Sequence, residues 1–408
     1  MLPGIDIKFD NGNIGTVIPS EDGVFGLLAS AVAVADTFAL NTPYTLKGMK
    51  DVAELGILPD LDNHILYKKL SEFYAEAGEG TELWLMGFPK TNKVSDWFTA
   101  DPATGNAPAE KLLNAANGRV SLLFTAFSPD AAYVPTETDG LDGDVWLAEQ
   151  KAQLLAENYT NKEYTPIIVL LEGYGFTGNA IDLPSLLEKS DNRVGIFIGD
   201  PQARTGDVTI NGAATSLLAG RLAKIPVHES PGRTRRGEMA NLTAFIVDVP
   251  VENYDVESLH DKGFMTFRTH VRKAGYYISD GRLATAPDDD YHYIARRRVI
   301  DKAYRIAYNV GSEEILESFD LNNDGTISPF YAKTVEGNVE REIYTLMTVN
   351  GELSRDQTNK DDLGVLSKFD VSKNVAATNR IEMTLKVRPK GYARWFDILL
   401  GYDVTLNN

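Results

Sequence analysis

Three glycines, Gly173, Gly175 and Gly178, have the G-x-G-x-x-G spacing of a phosphate-binding loop. They directly follow an apolar run that is typical of a buried strand, and Asp200 ends the next such run. In a dinucleotide-binding fold these glycines let a pyrophosphate approach a helix N-terminus, and the acid binds a ribose hydroxyl. However, Pro184 interrupts the segment in which the phosphate-binding helix would run. A nucleotide-cofactor-binding enzyme and a plain glycine-rich loop of an α/β domain are therefore both open.

A second pattern matches most of an EF-hand-type calcium loop. Oxygen-bearing side chains recur at alternating positions, and glycine stands where the loop turns sharply, as a hard cation requires. The bidentate carboxylate that should close the loop is replaced by Tyr331. Bound calcium and an Asx-rich turn that forms without metal are the two alternatives. The candidate calcium ligands are Asp320, Asn322, Asp324, Thr326 and Ser328.

Catalytic chemistry has little support in the sequence. The chain contains no cysteine, which excludes thiolate nucleophiles and thiolate metal sites. Its five histidines are scattered without metal-ligand spacing, and no G-x-S-x-G elbow occurs. We therefore expect no enzyme activity, no catalytic residue and no cofactor, with calcium as the one candidate ligand.

Composition and charge predict a globular protein that does not bind nucleic acid. Of the 408 residues, 43% are hydrophobic and 24% are charged, and the formal net charge is -18. A phosphate backbone would repel such a chain at long range. No apolar run approaches the length that crosses a bilayer, and the run at residues 23–35 follows acidic residues, unlike a signal peptide. We expect a buried strand or helix there, folding in the cytoplasm, and no membrane insertion.

Alternation of strand and helix patterns through the middle of the chain predicts a largely parallel sheet with helices on its faces. The middle of the chain is therefore expected to be α/β, and the chain as a whole α+β. The expected strands are residues 83–88, 120–126, 167–171, 194–198 and 242–247, and the expected helices lie near 66–77, 145–157, 183–189 and 213–223.

The stretch at residues 263–309 joins a β pattern to a helix. Met265, Phe267 and Val271 belong to a period-2 run, and Gly275 breaks it before a second run, so a hairpin is predicted. After an acidic loop, apolar residues recur at three- and four-residue spacing, which is typical of an amphipathic helix.

Both ends of the chain have strand patterns. Ile5, Ile7 and Phe9 alternate with charged residues near the beginning. Residues 381–387 alternate most regularly, and Pro389 and Gly391 are expected to turn them into a final run at 395–402. A helix is expected near residues 335–349.

The region from residue 263 onward resembles the C-terminal part of contractile tail sheath proteins, which form the outer sleeve of myovirus-like tails and related injection machines. In that family a strand pair ends in an Arg-bearing step, and an acidic loop and a helix opening on arginines follow. Residues 279–282, 288–293 and 296–298 occupy those places here. The arginines among them are expected to pair within the subunit or between subunits. Residues 44–46 and 52–56 are also similar to a strand and helix of the family.

The resemblance implies a subtilisin-like layout for the central domain and an assembly function. Sheath subunits form stacked rings around an inner tube, and their terminal arms donate strands to neighbouring subunits. By this resemblance residues 381–387 accept a strand, and the helix at 333–351 faces the tube, unless its polar face is simply solvated. The arm residues would be Ile5, Ile7, Phe9, Ile398, Leu400 and Tyr402, and the tube-facing ones Glu336, Glu340, Arg341 and Glu342.

The resemblance also implies partners, a location and boundaries. The expected partners are other copies of the chain, the inner tube protein, and baseplate and terminator proteins. The expected location is the host bacterial cytoplasm during assembly and then the tail of a phage or particle. The alternatives are the nucleotide-cofactor-binding enzyme and a calcium-binding structural module. The predicted regions are an N-terminal arm at 1–18, an α/β region at 19–105, a central α/β domain at 106–262, a sheath domain at 263–394 and a C-terminal arm at 395–408.

Overall fold

The computed structural model describes residues 21–59, 62–204 and 211–402. It divides the chain into two compact units, Met1–Asn309 and Val310–Asn408. No helix within the described ranges is long and apolar enough to cross a membrane.

The helices and strands of the described residues have the following bounds. The strands are β1 Phe25–Ala31, β2 Pro43–Leu46, β3 Leu83–Pro89, β4 Leu122–Ala126, β5 Glu137–Thr138, β6 Leu141–Asp142, β7 Ile168–Glu172, β8 Ser190–Asp191, β9 Val194–Ile198, β10 Phe245–Ile246, β11 Val249–Pro250, β12 Met265–Arg268, β13 Tyr277–Ile278, β14 Ala284–Thr285, β15 Val365–Phe369 and β16 Met383–Val387. The α-helices are α1 Met49–Glu54, α2 His64–Ala77, α3 Val94–Trp97, α4 Glu110–Ala115, α5 Gly143–Glu163, α6 Thr215–Lys224, α7 Val256–Asp261, α8 Ile294–Glu313, α9 Pro329–Ile343 and α10 Val375–Thr378.

An eight-stranded sheet organises the first unit, in the order β13-β12-β9-β7-β4-β1-β3-β2. The six inner strands are parallel, and the short edge strands β2 and β13 are antiparallel to their neighbours. All seven residues of β1 are buried, which explains why its sequence contains no charged residue and shows no apolar–polar alternation. The predicted α/β class with a largely parallel sheet is confirmed.

Helices cover both faces of this sheet. Phe73 of α2 stacks on Phe124 of β4, with ring centroids 5.7 Å apart. The side chain of the next residue back, Leu123, points to the opposite face because successive strand residues alternate. There it shares with Leu112 of α4 the space beside Gly26, where an added Cβ would lie 2.6 Å and 2.8 Å from those two leucines. Helix α4 therefore covers the face opposite to α2, and Gly26 permits its close approach.

The predicted hairpin and helix at residues 263–309 are both present. Strand β12 pairs in parallel with β9 and in antiparallel with β13, and α8 follows. The arginines near the beginning of α8 have partners inside the first unit. Arg297 lies 2.6 Å from Asp301, and Arg298 donates to the Asp22 carbonyl at 3.3 Å. These two arginines were expected to pair either within the subunit or between subunits, and in the structure they pair within the subunit.

Two predicted elements of the central region are wrong. Residues 183–189 form no α-helix: the structure has the short 3-10 turns Ala180–Asp182 and Leu186–Glu188, because Pro184 between them cannot continue a helix. Residues 242–247 form no strand of the main sheet. Only Phe245–Ile246 is extended there, and it pairs with Val249–Pro250 in a small separate ribbon.

The second unit is a helix packed on a two-stranded hairpin. Its small core contains Ile327, Ala332, Val335, Phe369 and Val375. The predicted strand at 381–387 exists as β16, but its partner is β15. The predicted final run at 395–402 forms no strand within the described residues.

The predicted domain boundaries can be compared with this division. The boundary at residue 263 lies within the first unit, because β12 and β13 belong to its main sheet. The N-terminal arm at 1–18 lies outside the described residues. The subtilisin-like layout of the central region stays a prediction.

Because β1 is fully buried, shortening one of its side chains should leave a cavity and destabilise the fold. We expect Leu27→Ala, which removes a fully buried side chain, to lower the free energy of unfolding by about 2–5 kcal/mol. Leu154→Ala, at a side chain of α5 that is 57% exposed, serves as the matched control and should change it by less than about 0.5 kcal/mol. Urea unfolding of both variants measures the difference, and equal losses would contradict the assignment of β1 to the core.

Candidate assembly interface

Judged from the residues that the structure describes, the hairpin of the second unit has one covered edge and one uncovered edge. On the outer side of β15, Glu336 Oε1 accepts the Phe369 N–H at 2.7 Å, and Glu340 Oε1 accepts the Ser367 N–H at 2.7 Å. Both carboxylates come from α9, which packs along this strand. Along the outer edge of β16, no group within the described residues pairs with the backbone of Met383 or Leu385. An uncovered strand edge is a site at which another strand can pair.

The four residues predicted to face the tube therefore separate into two pairs. Glu336 is buried and Glu340 is half-buried, and their oxygens bond to β15 inside the unit. These two carboxylates are not available as surface contacts. Arg341 and Glu342 are exposed. Beyond them the helix continues as a π-helical turn, Tyr344–Thr348, a form that recurs at functional sites.

The ionisation of Glu336 follows from these contacts. Burial alone would raise its pKa, but hydrogen bonds from Lys333 and from the Phe369 N–H hold that pKa below the usual 4.5. Glu336 is thus charged at neutral pH, and its negative charge is neutralised by Lys333.

The C-terminal segment is apolar and exposed. Ile398 is 70% exposed and Leu400 is 91% exposed, and Tyr402 is fully exposed. Trp395 and Phe396 add two large exposed aromatic side chains. Soluble proteins rarely expose contiguous apolar surface of this kind unless something covers it. The predicted N-terminal arm residues Ile5, Ile7 and Phe9 lie outside the described residues.

The glycine-rich loop has a packing explanation. Gly173 donates its N–H to the Phe197 carbonyl at 2.8 Å, and an added Cβ there would lie 2.6 Å from Ile198. Gly175 and Gly178 have φ of 71° and 94°, values that favour glycine. After Gly178 the chain forms 3-10 turns, so the described residues provide no α-helix N-terminus for a pyrophosphate here.

Asp200 lies in a buried charge cluster at the carboxyl ends of the strands. The Lys68 Nζ donates to both of its carboxylate oxygens at 2.8 Å, and the Lys69 Nζ lies 3.4 Å away. The same Lys69 Nζ lies 3.1 Å from Glu172, which ends β7. Asp200 is therefore bound to lysines of α2. To bind a ribose hydroxyl, as in a dinucleotide site, its carboxylate would have to be free of these lysines.

The electrostatics of this cluster favour a structural role. Burial lowers the pKa of Lys69, but Glu172 and Asp200 outweigh burial and hold that pKa above its usual value. Burial raises the pKa of Glu172. A lysine held protonated is a poor nucleophile. A cavity of about 80 Å³ adjoins the cluster and is lined in part by Lys68, Lys69 and Glu172.

Sequence reasoning identified Asp200 but missed Lys69 and Glu172. The available signal was weak: a lysine inside the apolar stripe of a predicted helix, and a glutamate ending an apolar run. Neither position alone reveals its partner, because the partners are far apart in sequence.

The predicted calcium loop forms a compact Asx turn. Asp324 Oδ1 accepts the Thr326 N–H at 3.0 Å and its hydroxyl at 2.7 Å, and Gly325 has a φ of 78°. Asn322 Nδ2 donates to the Thr326 hydroxyl at 2.9 Å. No group of three or more His, Asp or Glu side chains suited to a metal occurs in the described ranges. Calcium binding by Asp320 and its neighbours stays a prediction.

Two family models match nearly the whole chain. The model of the DUF2586 N-terminal domain matches residues 2–282, and the model of the DUF2586 C-terminal domain matches residues 290–407. The chain belongs to the DUF2586 family. Among curated protein sequences, none matches it.

Three solved structures to which the chain is similar are of sheath proteins or sheath complexes. This DUF2586 chain is similar to the anti-feeding prophage helical sheath in its contracted state, at 16% identity, 99% coverage of both chains and a TM-score of 0.61. It is similar to the sheath complex of the extracellular contractile injection system PVC in its contracted state, at 12% identity, coverage of 99% and 98%, and a TM-score of 0.60. A third match is the sheath tail protein of Desulfitobacterium hafniense, at 11% identity, coverage of 90% and 94%, and a TM-score of 0.50. The predicted resemblance to contractile sheath proteins is confirmed at the level of the fold.

The buried charge cluster predicts a large and specific loss of stability in this DUF2586 chain. We expect Lys69→Met to lower the free energy of unfolding by about 3–5 kcal/mol, because Glu172 and Asp200 lose the buried cation between them. Lys50→Met is the matched control: its pair with Glu54 is exposed, so the change should stay below about 0.5 kcal/mol. Similar losses in the two variants, measured by urea unfolding, would argue against the cluster's structural role.

The lowered pKa of Glu336 predicts acid sensitivity at the β15 edge. A carboxylate whose folded pKa is depressed contributes stability above its unfolded value, and that contribution disappears as pH falls through the folded pKa. Protection of the Phe369 amide against hydrogen exchange, corrected for the intrinsic rate, should therefore decrease between about pH 6 and about pH 3. In Glu336→Gln, which does not ionise, the decrease at Phe369 should be absent. An identical decrease in both proteins would contradict the role of Glu336.

Proposed function

We propose that this chain is the structural subunit of a contractile sheath, which polymerises into stacked rings around an inner tube and contracts to drive the tube through a target envelope. The observation that carries the proposal is the extent of the fold match: the similarity to the contracted anti-feeding prophage sheath covers 99% of both chains. A shared α/β domain alone would match only part of each chain, whereas here both compact units are included.

Strand exchange between copies would link the subunits. The exposed apolar segment at 395–402 has a composition suited to a strand that is covered in the assembly, and residues 5–10 alternate as a strand does. Main-chain pairing gives such links a strength that does not depend on side-chain repacking. Links of this kind can persist while the subunits rearrange during contraction.

The tube contact is assigned to the exposed side of α9. Since Glu336 and Glu340 bond to β15, Arg341 and Glu342 remain as the predicted contact residues. Exposed Leu346 and Val349 follow on the π-helical turn and the residue after it. They would add apolar area to the same contact.

Further partners follow from the same proposal. The chain is also similar to proteins in two anti-feeding prophage baseplate structures, at 13% and 12% identity with TM-scores of 0.59 and 0.61. By analogy the first sheath ring would contact a baseplate, and inner tube and terminator proteins would complete the particle. Assembly would take place in the host bacterial cytoplasm. The proposal assigns the chain no catalytic residue.

The exposed C-terminal segment provides the test of assembly. We expect the double variant Ile398→Asp with Leu400→Asp to keep the melting temperature of the unaltered chain, because both side chains are exposed in the monomer. Negative-stain electron microscopy should show rings or tubes for the unaltered chain and none for the variant. Deletion of residues 1–12 should have the same effect.

The matched control adds the same charge elsewhere. Gln357→Asp with Asn359→Asp changes two exposed residues of the loop before β15 and should leave the polymers intact. Sheath-length polymers from the Ile398→Asp, Leu400→Asp chain would sink the proposed role of the C-terminal segment. Uniform small particles from the unaltered chain, with or without added tube protein, would sink the sheath function itself.

A further inference from the structure

The loop between β12 and β13 is a concentrated basic surface in an acidic chain. Residues 262–279 contain no acidic side chain, although the net charge of the whole chain is -18. Arg268, Arg272 and Lys273 are exposed, and no carboxylate of the described residues forms an ion pair with any of them. Val271 stands between these cations and is 92% exposed. An exposed apolar side chain with unpaired cations around it is typical of a contact surface.

The fold holds this loop, residues 268–273, in a defined turn. The His270 ring packs edge to face on Tyr277 of β13, with ring centroids 5.0 Å apart, and the Lys273 N–H donates to the His270 carbonyl at 3.1 Å. Arg272 has a φ of 63°, a conformation that a bulky side chain rarely adopts. Backbone outliers of this kind persist where the surrounding structure imposes them, and they recur at functional sites. We call residues 268–273 the basic loop.

Three tyrosines form a second exposed surface of the same unit. Tyr164, Tyr304 and Tyr308 are 46%, 38% and 41% exposed, and the rings of Tyr164 and Tyr308 stack with centroids 4.7 Å apart. Burial raises the pKa of Tyr304, and the phenol groups of Tyr164 and Tyr308 raise it further, so the three side chains adjoin one another. We call these three residues the tyrosine patch. Aromatic faces attract cations, and tyrosine and arginine are both enriched at protein interfaces.

The position of Tyr164 makes this patch unusual. Tyr164 is the C-terminal cap of α5 and has a φ of 54°, where helices commonly have glycine. The helix therefore gains nothing locally from an aromatic side chain at this position. The C-terminal end of a helix also carries a partial negative charge, which attracts cations. The tyrosine patch thus combines aromatic faces with the negative end of α5.

The basic loop and the tyrosine patch lie at opposite edges of the main sheet. Strand β12 is parallel to β9, and β9 is parallel to β7, so the loop that follows β12 lies at the carboxyl ends of the strands. Tyr164 precedes β7, and Arg305 of α8 donates to the carbonyl of Val120, which precedes β4, at 3.3 Å. The patch therefore lies at the amino ends. Two different surfaces at opposite edges can meet only in a head-to-tail contact between copies.

We infer that the basic loop of one copy of this chain docks on the tyrosine patch of the next copy, with its arginine and lysine side chains over the tyrosine rings. The inference rests on the proposed sheath function and adds one specific contact between subunits. It also gives the acidic subunits an attractive contact that offsets part of their mutual repulsion.

Charge reversal in the basic loop tests its part in the contact. We expect Arg272→Glu with Lys273→Glu to raise the protein concentration needed for polymerisation by at least about tenfold, without a change in melting temperature. The matched control is Arg355→Glu with Lys360→Glu, which reverses one exposed arginine and one exposed lysine of the loop before β15. Its effect should stay below about twofold. Sedimentation of polymers over a concentration series measures both values.

Substitution of the tyrosine patch separates binding from folding. Tyr164→Asn with Tyr308→Gln removes two rings, and asparagine tolerates the left-handed backbone at position 164. We expect the same loss of polymerisation, at least about tenfold, with no decrease in melting temperature. Tyr164→Phe with Tyr308→Phe keeps the aromatic faces and should polymerise like the unaltered chain. A decrease in melting temperature with unchanged polymerisation would show that the rings serve folding alone.

Crosslinking locates the contact, since the chain contains no cysteine of its own. Full-length chains carrying Ala274→Cys, beside the basic loop, are mixed with full-length chains carrying Asn161→Cys, one turn before Tyr164; both positions are exposed. A short bismaleimide and mass spectrometry should give links between the two positions, and these links should disappear in the Arg272→Glu, Lys273→Glu background. Either chain alone should give none, because a head-to-tail contact never brings identical positions together.

The outcomes separate this inference from the function on which it rests. Unchanged polymerisation of the charge-reversed loop would overturn the inference and leave the sheath function standing. Loss of polymers without links between positions 274 and 161 would assign the loop to another partner and overturn the tyrosine patch as its site. If the unaltered chain forms no polymers, the sheath function fails. Crosslinking at high protein concentration then still decides the inference, and a lack of links would overturn it as well.

Discussion

Each strand of a β-sheet must find partners for its backbone N–H and C=O groups, and this requirement shapes both units of the chain. In the first unit the six parallel strands are enclosed by short antiparallel edge strands, β2 with four residues and β13 with two. Short edges give an incoming strand little to pair with. In the second unit the hairpin is too small to enclose its own edges. Glu336 and Glu340 protect one of them, and no group of the described part of the chain covers the other.

Buried charges in the first unit also hold a helix against the strands, as Glu336 and Glu340 do in the second unit. The ammonium of Lys69 joins α2 to the carboxyl ends of β7 and β9 through Glu172 and Asp200. Ligands commonly bind at this edge of a parallel sheet. Here the acidic side chains bind lysines of the same unit instead, and the glycine-rich loop beside them packs against β9. The edge that usually holds a ligand is thus used to fix a helix to the sheet.

The sequence predicted the strands β3, β4, β7 and β9 well because each is a mainly apolar run, as the agreement at Val194–Ile198 illustrates. The spacing of residues suggested a calcium site and a dinucleotide site. Spacing does not reveal which of those side chains are already bonded to other residues of the chain. Asp200 matched the expected ribose-binding acid, yet its lysines lie on a helix more than 130 residues earlier. The pairing of β16 with β15 was missed for a related reason, since alternation identifies a strand but not its neighbour. Pro184, by contrast, was a local signal, and it ended the helical pattern at 183–189 as its chemistry requires.

Among the described residues, the hairpin has its uncovered edge on β16 alone, and this asymmetry would give contacts between copies a direction. A contact in which one copy gives a segment and the next receives it is heterologous, and repetition of such a contact closes into a ring or continues as a helix according to the rotation between copies. If both edges of the hairpin accepted strands equally, the same chain could branch. Because Glu336 and Glu340 cover the β15 edge, a polymer linked by strand addition at this hairpin would have a giving end and a receiving end at every contact, and its polarity would already be present in the monomer.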